Sequence, residues 1–191
     1  MAVLMALSGC DRLPGASGAA SFKSTDITGA DYGKTLDLTD HTGTSRTLAD
    51  FRGKLVVLFF GFTQCPDVCP TTLATMADVM KQLGPDADRV QVVFVTLDPE
   101  RDSQKVLSGY VTAFDPRFIG LYGDADATTR AAKEFKVFVQ KSAGSSPSNY
   151  TLDHTAATYV LDGQGRLRLY MRHGQSSADI LSDLRLLLSR S

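Results

Sequence analysis

The sequence predicts an α/β fold: a central mixed sheet flanked by helices, with an added N-terminal hairpin. Three observations carry that expectation. The apolar run Leu55-Val56-Val57-Leu58-Phe59-Phe60 precedes a stretch with apolar positions at 73, 76, 79, 80 and 83, and a second apolar, β-branched run covers 90–97. That is a buried strand, a helix and a buried strand, one βαβ unit. Further on, Asp162-Gly163-Gln164-Gly165 separates two strand-like runs, 157–161 and 166–171, which is a strong hairpin signal. Residues 177–189 then form an amphipathic final helix.

The remaining elements follow in order. Leu36-Asp37-Leu38-Thr39-Asp40 alternates apolar and polar, turns at His41-Thr42-Gly43-Thr44 and returns over 45–48, a hairpin ahead of the core. After strand 55–60, the helix is expected over 71–83, with Pro70 suited to its first turn and Gly84-Pro85-Asp86 as its stop. Ser103 can cap a helix that runs to about Phe114. Ile119-Gly120-Leu121-Tyr122 reads as a short strand, and Asp124 or Asp126 opens a helix to Phe135. The stretch 141–149 is rich in Ser and Gly and reads as a loop. A βαβ start with two cysteines at its first strand-to-helix turn, and a closing ββα, is the thioredoxin-like plan. The plan alone does not give a function.

The 191 residues fit one globular domain, expected over 25–191, behind a signal and tether expected over 1–24. Twenty Lys and Arg against 21 Asp and Glu leave the charge near zero and show no basic stripe, which argues against nucleic acid as a partner. No stretch approaches the roughly 20 apolar residues of a spanning helix. The N-terminal Leu7-Ser8-Gly9-Cys10 resembles a bacterial lipobox, cut before Cys10 with lipid added to the thiol; the segment is short and lacks a positive n-region, which counts against a full signal. Asp11 then resembles the signal for retention at the inner membrane, and residues 15–24, mostly small and polar, fit a tether. The expected location is the periplasmic face of the bacterial inner membrane, with membrane contact through lipid on Cys10. Cys65 and Cys69 are then the only other thiols.

Cys65 and Cys69 fall where the first buried strand meets the helix. The free N–H groups and dipole of a helix start favour an anion there, including a thiolate. On one helical turn, residues i and i+4 share a face with Cα atoms about 6 Å apart, inside the disulfide range. The pair can therefore oxidise to a bridge or chelate a soft metal ion. As a structural bridge it would close so short a loop that it stabilises little. A lone His is more often a surface group than a ligand. Of the three in the chain, His154 in Asp153-His154-Thr155 lies before the penultimate strand, on a loop that approaches the cysteine turn in the thioredoxin-like plan; His41 and His173 lie in a hairpin turn and in the loop before the last helix. Asp98-Pro99-Glu100-Arg101-Asp102 follows the second buried strand at the edge where open α/β sheets place ligands, yet a solvated turn with a helix cap is the reading its composition favours.

Three motifs in order now carry a specific resemblance. The run from Gly61 to Thr71 (Gly-Phe-Thr-Gln-Cys-Pro-Asp-Val-Cys-Pro-Thr), Thr96-Leu97-Asp98-Pro99-Glu100-Arg101-Asp102, and Asp153-His154-Thr155 resemble the Sco/SenC family of copper chaperones over about residues 30–188. The resemblance implies a thioredoxin-like fold and one copper ion per chain, held by Cys65, Cys69 and His154. It implies a role in assembling the dinuclear copper centre of cytochrome c oxidase, with the copper-binding subunit of that oxidase as partner and other periplasmic copper or thiol donors upstream. One departure is visible: after Asp102 the family commonly has Thr-Pro, and this chain has Ser103-Gln104. Ser103 can still cap the helix.

The residue chemistry agrees. Thiolates suit Cu(I), and imidazole suits Cu(II) as well. Two thiolates and one imidazole leave the metal open enough to pass on, whereas a closed structural zinc site needs four protein ligands. Ligand count leaves a catalytic Cys₂His zinc open; the strand–turn–helix setting argues against it. Three functions compete: a metallochaperone, a thiol–disulfide oxidoreductase that reduces the cysteines of the oxidase copper centre through Cys65 and Cys69, and a peroxiredoxin-like peroxidase. Exchange needs two thiols, and metal retention needs His154. The peroxidase pattern Thr-x-x-Cys meets Phe62 and Pro66 here, which argues against it.

Overall fold

A computed structural model of the chain describes residues 21–146 and 149–190. Cys10 and the rest of the expected lipobox, 7–10, lie outside the described residues. Ten strands and four α-helices are present among the described residues: β1 Thr25–Asp26, β2 Asp37–Asp40, β3 Ser45–Thr47, β4 Leu55–Gly61, α1 Val68–Leu83, β5 Val90–Thr96, α2 Gln104–Phe114, β6 Ile119–Tyr122, α3 Ala125–Glu134, β7 Val139–Ser146, β8 Asn149–His154, β9 Ala157–Leu161, β10 Leu167–Arg172 and α4 Ser177–Leu188. Eight strands form one mixed sheet in the order β1-β10-β9-β4-β5-β6-β2-β3. β4, β5 and β6 are parallel at its centre, and the flanking strands are antiparallel. This is the thioredoxin-like sheet with the expected N-terminal hairpin, β2–β3, added at one edge.

Alternation along β4 sends its side chains to two cores. Leu55, Val57 and Phe59 pack with α1, α2 and α4 on one face; Val56, Leu58 and Phe60 pack against Leu48, Phe51, Ala131, Ala132 and Phe135 on the other. Every residue of β4 is buried, as a strand covered on both faces requires. Both hairpin turns of the main sheet, β2–β3 and β9–β10, are held by an aspartate. Asp40 accepts from the Thr42 and Thr44 amides, and Asp162 from those of Gln164 and Arg166. A carboxylate that gathers turn N–H groups is the reason Asp opens such turns.

Three elements differ from expectation. α1 begins at Val68, before the expected 71, so Pro70 lies third in the helix. Proline is tolerated there because no first-turn N–H has an intrahelical partner. The short β1 was not expected; it joins the sheet edge through β10, and Lys23 and Ser24, at the end of the expected tether, donate backbone N–H bonds to buried Asp183 of α4 at 2.7 and 2.8 Å. The expected loop 141–149 is mostly strand: β7 and β8 make a separate two-stranded sheet that includes the pairs Val139–His154 and Lys141–Leu152. Partners in an antiparallel ladder share a face. Val139, Lys141, Tyr150, Leu152 and His154 therefore lie on one face, and burial of Tyr150 and Leu152 in the second core docks it.

Candidate metal centre

The thiol pair sits where β4 leaves the sheet. Gly61 ends the strand, and a Cβ there would stand 2.7 Å from the Cys69 sulfur and 2.9 Å from the Phe94 ring. No side chain fits, so glycine lets the strand end and the helix start meet. The Cys65 amide donates to the Phe62 carbonyl at 3.2 Å, closing the turn. Cys65 precedes the helix rather than lying on its first turn as expected. The pairing arises differently: the Cys69 N–H, one of the free first-turn donors, points at the Cys65 sulfur at 3.4 Å. Both thiols are unbridged; Cys65 is half-buried and Cys69 fully buried. Burial pushes the Cys69 thiol far above its ordinary value, against a bond to the Phe62 backbone that favours the thiolate. Cys69 is thus a neutral thiol until a metal or a disulfide partner takes its proton's place.

His154 closes β8. Its ring meets Phe62 edge-on at 5.9 Å, and Phe62 is three residues from Cys65. Its Nδ1 lies 3.0 Å from the Thr155 carbonyl oxygen, which can only accept, so Nδ1 carries the proton and Nε2 keeps a free lone pair. That is the orientation in which a ligand imidazole is normally held. Burial lowers its pKa and keeps the ring neutral. The structure brings Cys65 and Cys69 together and places His154 on the neighbouring hairpin, across Phe62. Among the described residues, no three of His, Cys, Asp and Glu gather closely enough to hold a metal ion. The other histidines differ: His41 Nδ1 accepts from the Gly120 amide at 3.0 Å in the β2–β3 turn, while His173 Nδ1 lies 3.5 Å from the Thr72 hydroxyl, one turn into α1.

The segment 98–102 is not the solvated turn its composition favours. Asp98 and Asp102 are 3% and 1% exposed. Asp102 accepts from the Thr63 amide at 2.9 Å and from the Thr63 and Thr96 hydroxyls at 2.5 Å each. Burial raises its pKa and these bonds oppose the rise. Asp98 accepts from the Tyr150 hydroxyl at 2.6 Å and pairs with Arg101. The predicted cap is present, with Ser103 Oγ accepting from the Val106 amide. Charge on a turn reads as solvation in a sequence; here, beside the nearby Thr96 and Arg101, the segment has partners 37 to 52 positions away, on the thiol loop and β8. Gln64, Arg101 and Tyr150 were therefore missed as site residues, and Gly61 was visible only as a glycine at a strand end.

The SCO1/SenC family model matches residues 24–189. A mouse mitochondrial SCO2 homologue is 37% identical over 152 residues, covering 78% of this chain and 60% of the mouse protein, so the chain spans less than two thirds of that relative. Solved structures are similar as well. Apo Sco1 from Thermus thermophilus has a TM-score of 0.79 and 40% identity, covering 87% of this chain and 97% of that one. ScoI from Bradyrhizobium japonicum, solved with copper bound, has a TM-score of 0.76 and 35% identity, covering 82% and 99%. With a thiol pair at a strand-to-helix turn, a histidine on the adjoining hairpin and a family match that spans nearly all of the described fold, the chain belongs to the SCO1/SenC family.

Proposed function

We propose that this protein is a copper metallochaperone that holds one copper ion through Cys65, Cys69 and His154 and delivers it to the dinuclear copper centre of cytochrome c oxidase. The observation that carries the reading is the unbridged thiol pair, with the Cys69 amide on the Cys65 sulfur and a His154 ring held with Nε2 free. The Bradyrhizobium relative solved with copper supports the choice of metal. Thiolates favour Cu(I), and the imidazole extends the set to Cu(II). With the hairpin docked, closing the set asks a shift of the His154 ring toward the thiols. A set of only three protein ligands stays open enough to release its cargo. The test is transfer: the copper-loaded protein, mixed with the metal-free copper-binding subunit of the oxidase, should lose its copper while that subunit gains it. Retention by the loaded protein would refute delivery.

The unequal thiols favour a second reading. A half-buried Cys65 can attack a disulfide in the oxidase subunit, and buried Cys69 can then resolve the mixed disulfide. The target's disulfide becomes two thiols and Cys65–Cys69 becomes the bridge, so electrons balance. In our reading Cys10 carries lipid, residues 1–24 are signal and tether, and the domain works at the periplasmic face of the bacterial inner membrane. Among the described residues, no helix is long and apolar enough to cross a membrane.

A further inference from the structure

The β7–β8 hairpin bears His154 but, among the described residues, pairs with no strand of the main sheet. A lone hairpin is marginally stable, so its place depends on docking. Apolar burial of Tyr150 and Leu152 holds it down, but apolar contact has little direction. Directional contacts come from the segment after β5, where Asp98, Glu100 and Arg101 share them, and Arg101 also reaches the thiol loop. Arg101 Nη1 donates to the Tyr150 carbonyl at 2.8 Å and to Gln64 Oε1 at 3.1 Å. Gln64 is the residue before Cys65. The guanidinium carbon stands 3.6 Å from the centre of the Tyr150 ring and 5.8 Å from that of Phe62, the ring that touches His154. Its Nε pairs with Asp98, which also accepts from the Tyr150 hydroxyl. Lys141 covers Tyr150 as well, 3.8 Å from the ring centre, and pairs with Glu100 at 2.9 Å.

Arg101 thus touches the loop of one proposed ligand, the strand of another and the ring between them. It is only 13% exposed, and its Nη2 is buried without a hydrogen-bond partner among the described residues. Its planar fork is therefore committed to stacking and to these bridges. Lysine has neither the fork nor the plane.

We infer that Arg101 is a positioning residue that fixes the His154 hairpin against the thiol loop and so sets whether the imidazole joins the two sulfurs on copper. The inference rests on the ligand set proposed above. It predicts that removing Arg101 leaves the thiols competent but frees the third ligand. Residues that orient metal ligands typically change affinity about 10- to 100-fold when removed.

The experiment measures Cu(II) dissociation constants by chelator competition, and nitrogen coupling by pulsed EPR, on the reduced full chain. Wild type, Arg101→Ala, Arg101→Lys, Tyr150→Phe, His154→Ala and the Arg101→Ala/His154→Ala double variant are compared, with heat unfolding as a folding check. Arg101→Ala should weaken Cu(II) about 10- to 100-fold and lose the imidazole coupling. Arg101→Lys should not restore it. The double variant should bind no more weakly than His154→Ala, because both changes remove the same ligand. Tyr150→Phe deletes one hydroxyl and keeps the fold, so it should weaken binding in the same direction, by less, even where Arg101→Ala does not fold. An imidazole coupling intact in Arg101→Ala, losses that add in the double variant, or wild-type affinity in both Arg101→Lys and Tyr150→Phe would overturn the role of Arg101. A wild type that binds copper without imidazole coupling would instead overturn the ligand set, and this inference with it.

Discussion

The backbone N–H of Cys69 points at the sulfur of Cys65 across 3.4 Å. One sulfur thereby sits half-buried ahead of the helix start, and the other lies inside the first turn under full burial. The two sulfurs are adjacent but unequal.

Copper and the disulfide should therefore exclude each other. Both need the same two sulfurs, and each ligand sulfur must be a thiolate. Cys65→Ser or Cys69→Ser should abolish tight binding, because a hydroxyl does not replace a thiolate on copper. Isothermal titration of reduced, oxidised and variant protein tests this; equal copper uptake by oxidised and reduced samples would contradict it.

Gly61→Ala tests the close approach. The added methyl meets the Cys69 sulfur at 2.7 Å and the Phe94 ring at 2.9 Å, both inside buried surroundings. Overpacking of this kind costs about 1–3 kcal/mol. Denaturant unfolding should show a loss in that range, and copper affinity should fall with it. A neutral substitution would mean that the helix start can shift without consequence.

The segment from Gly61 to Pro70 was readable in the sequence because its signals are local. An apolar run, paired cysteines and a proline mark a strand, a turn and a helix start without reference to distant residues. His154 was reached only through the fold plan and the family resemblance, because a lone histidine carries no local signal. The β7 strand was missed because Ser142 and Gly144 have low strand preference; the segment is a strand through its ladder with β8 and the docking of Tyr150 and Leu152. The polar bridges of Arg101 were also missed, since pairings 37 and 49 positions apart leave no periodic trace.

Asp40 supplies a pH dependence separate from the copper site. Burial alone would raise its carboxyl; bonds from Thr42, Arg46 and Thr44 outweigh that and hold it well below the ordinary carboxylate range. With the folded value depressed, its stabilisation is present above the unfolded value of about 4 and is lost as pH falls through the folded one. The heat-unfolding midpoint should fall as pH drops below about 4. Asp40→Asn should cost about 2 kcal/mol at pH 7 and flatten that part of the curve. An unchanged acid limb in Asp40→Asn would assign the dependence to other carboxylates.

Cys10→Ser tests the proposed anchor. The variant should appear in the soluble fraction or retain an uncut signal, while wild type stays with the membrane; mass spectrometry of the mature N-terminus shows the lipid directly. An unlipidated, soluble wild type would refute the anchor and leave the copper site intact.

The central claim is that one copper ion is held by Cys65, Cys69 and His154. Copper stoichiometry of the reduced protein, with EPR spectra of wild type and His154→Ala, tests it most directly. The account predicts one copper per chain, with thiolate and imidazole signatures in wild type and loss of the imidazole signature and of Cu(II) affinity in His154→Ala. Full Cu(II) affinity and an unchanged spectrum in His154→Ala would contradict it.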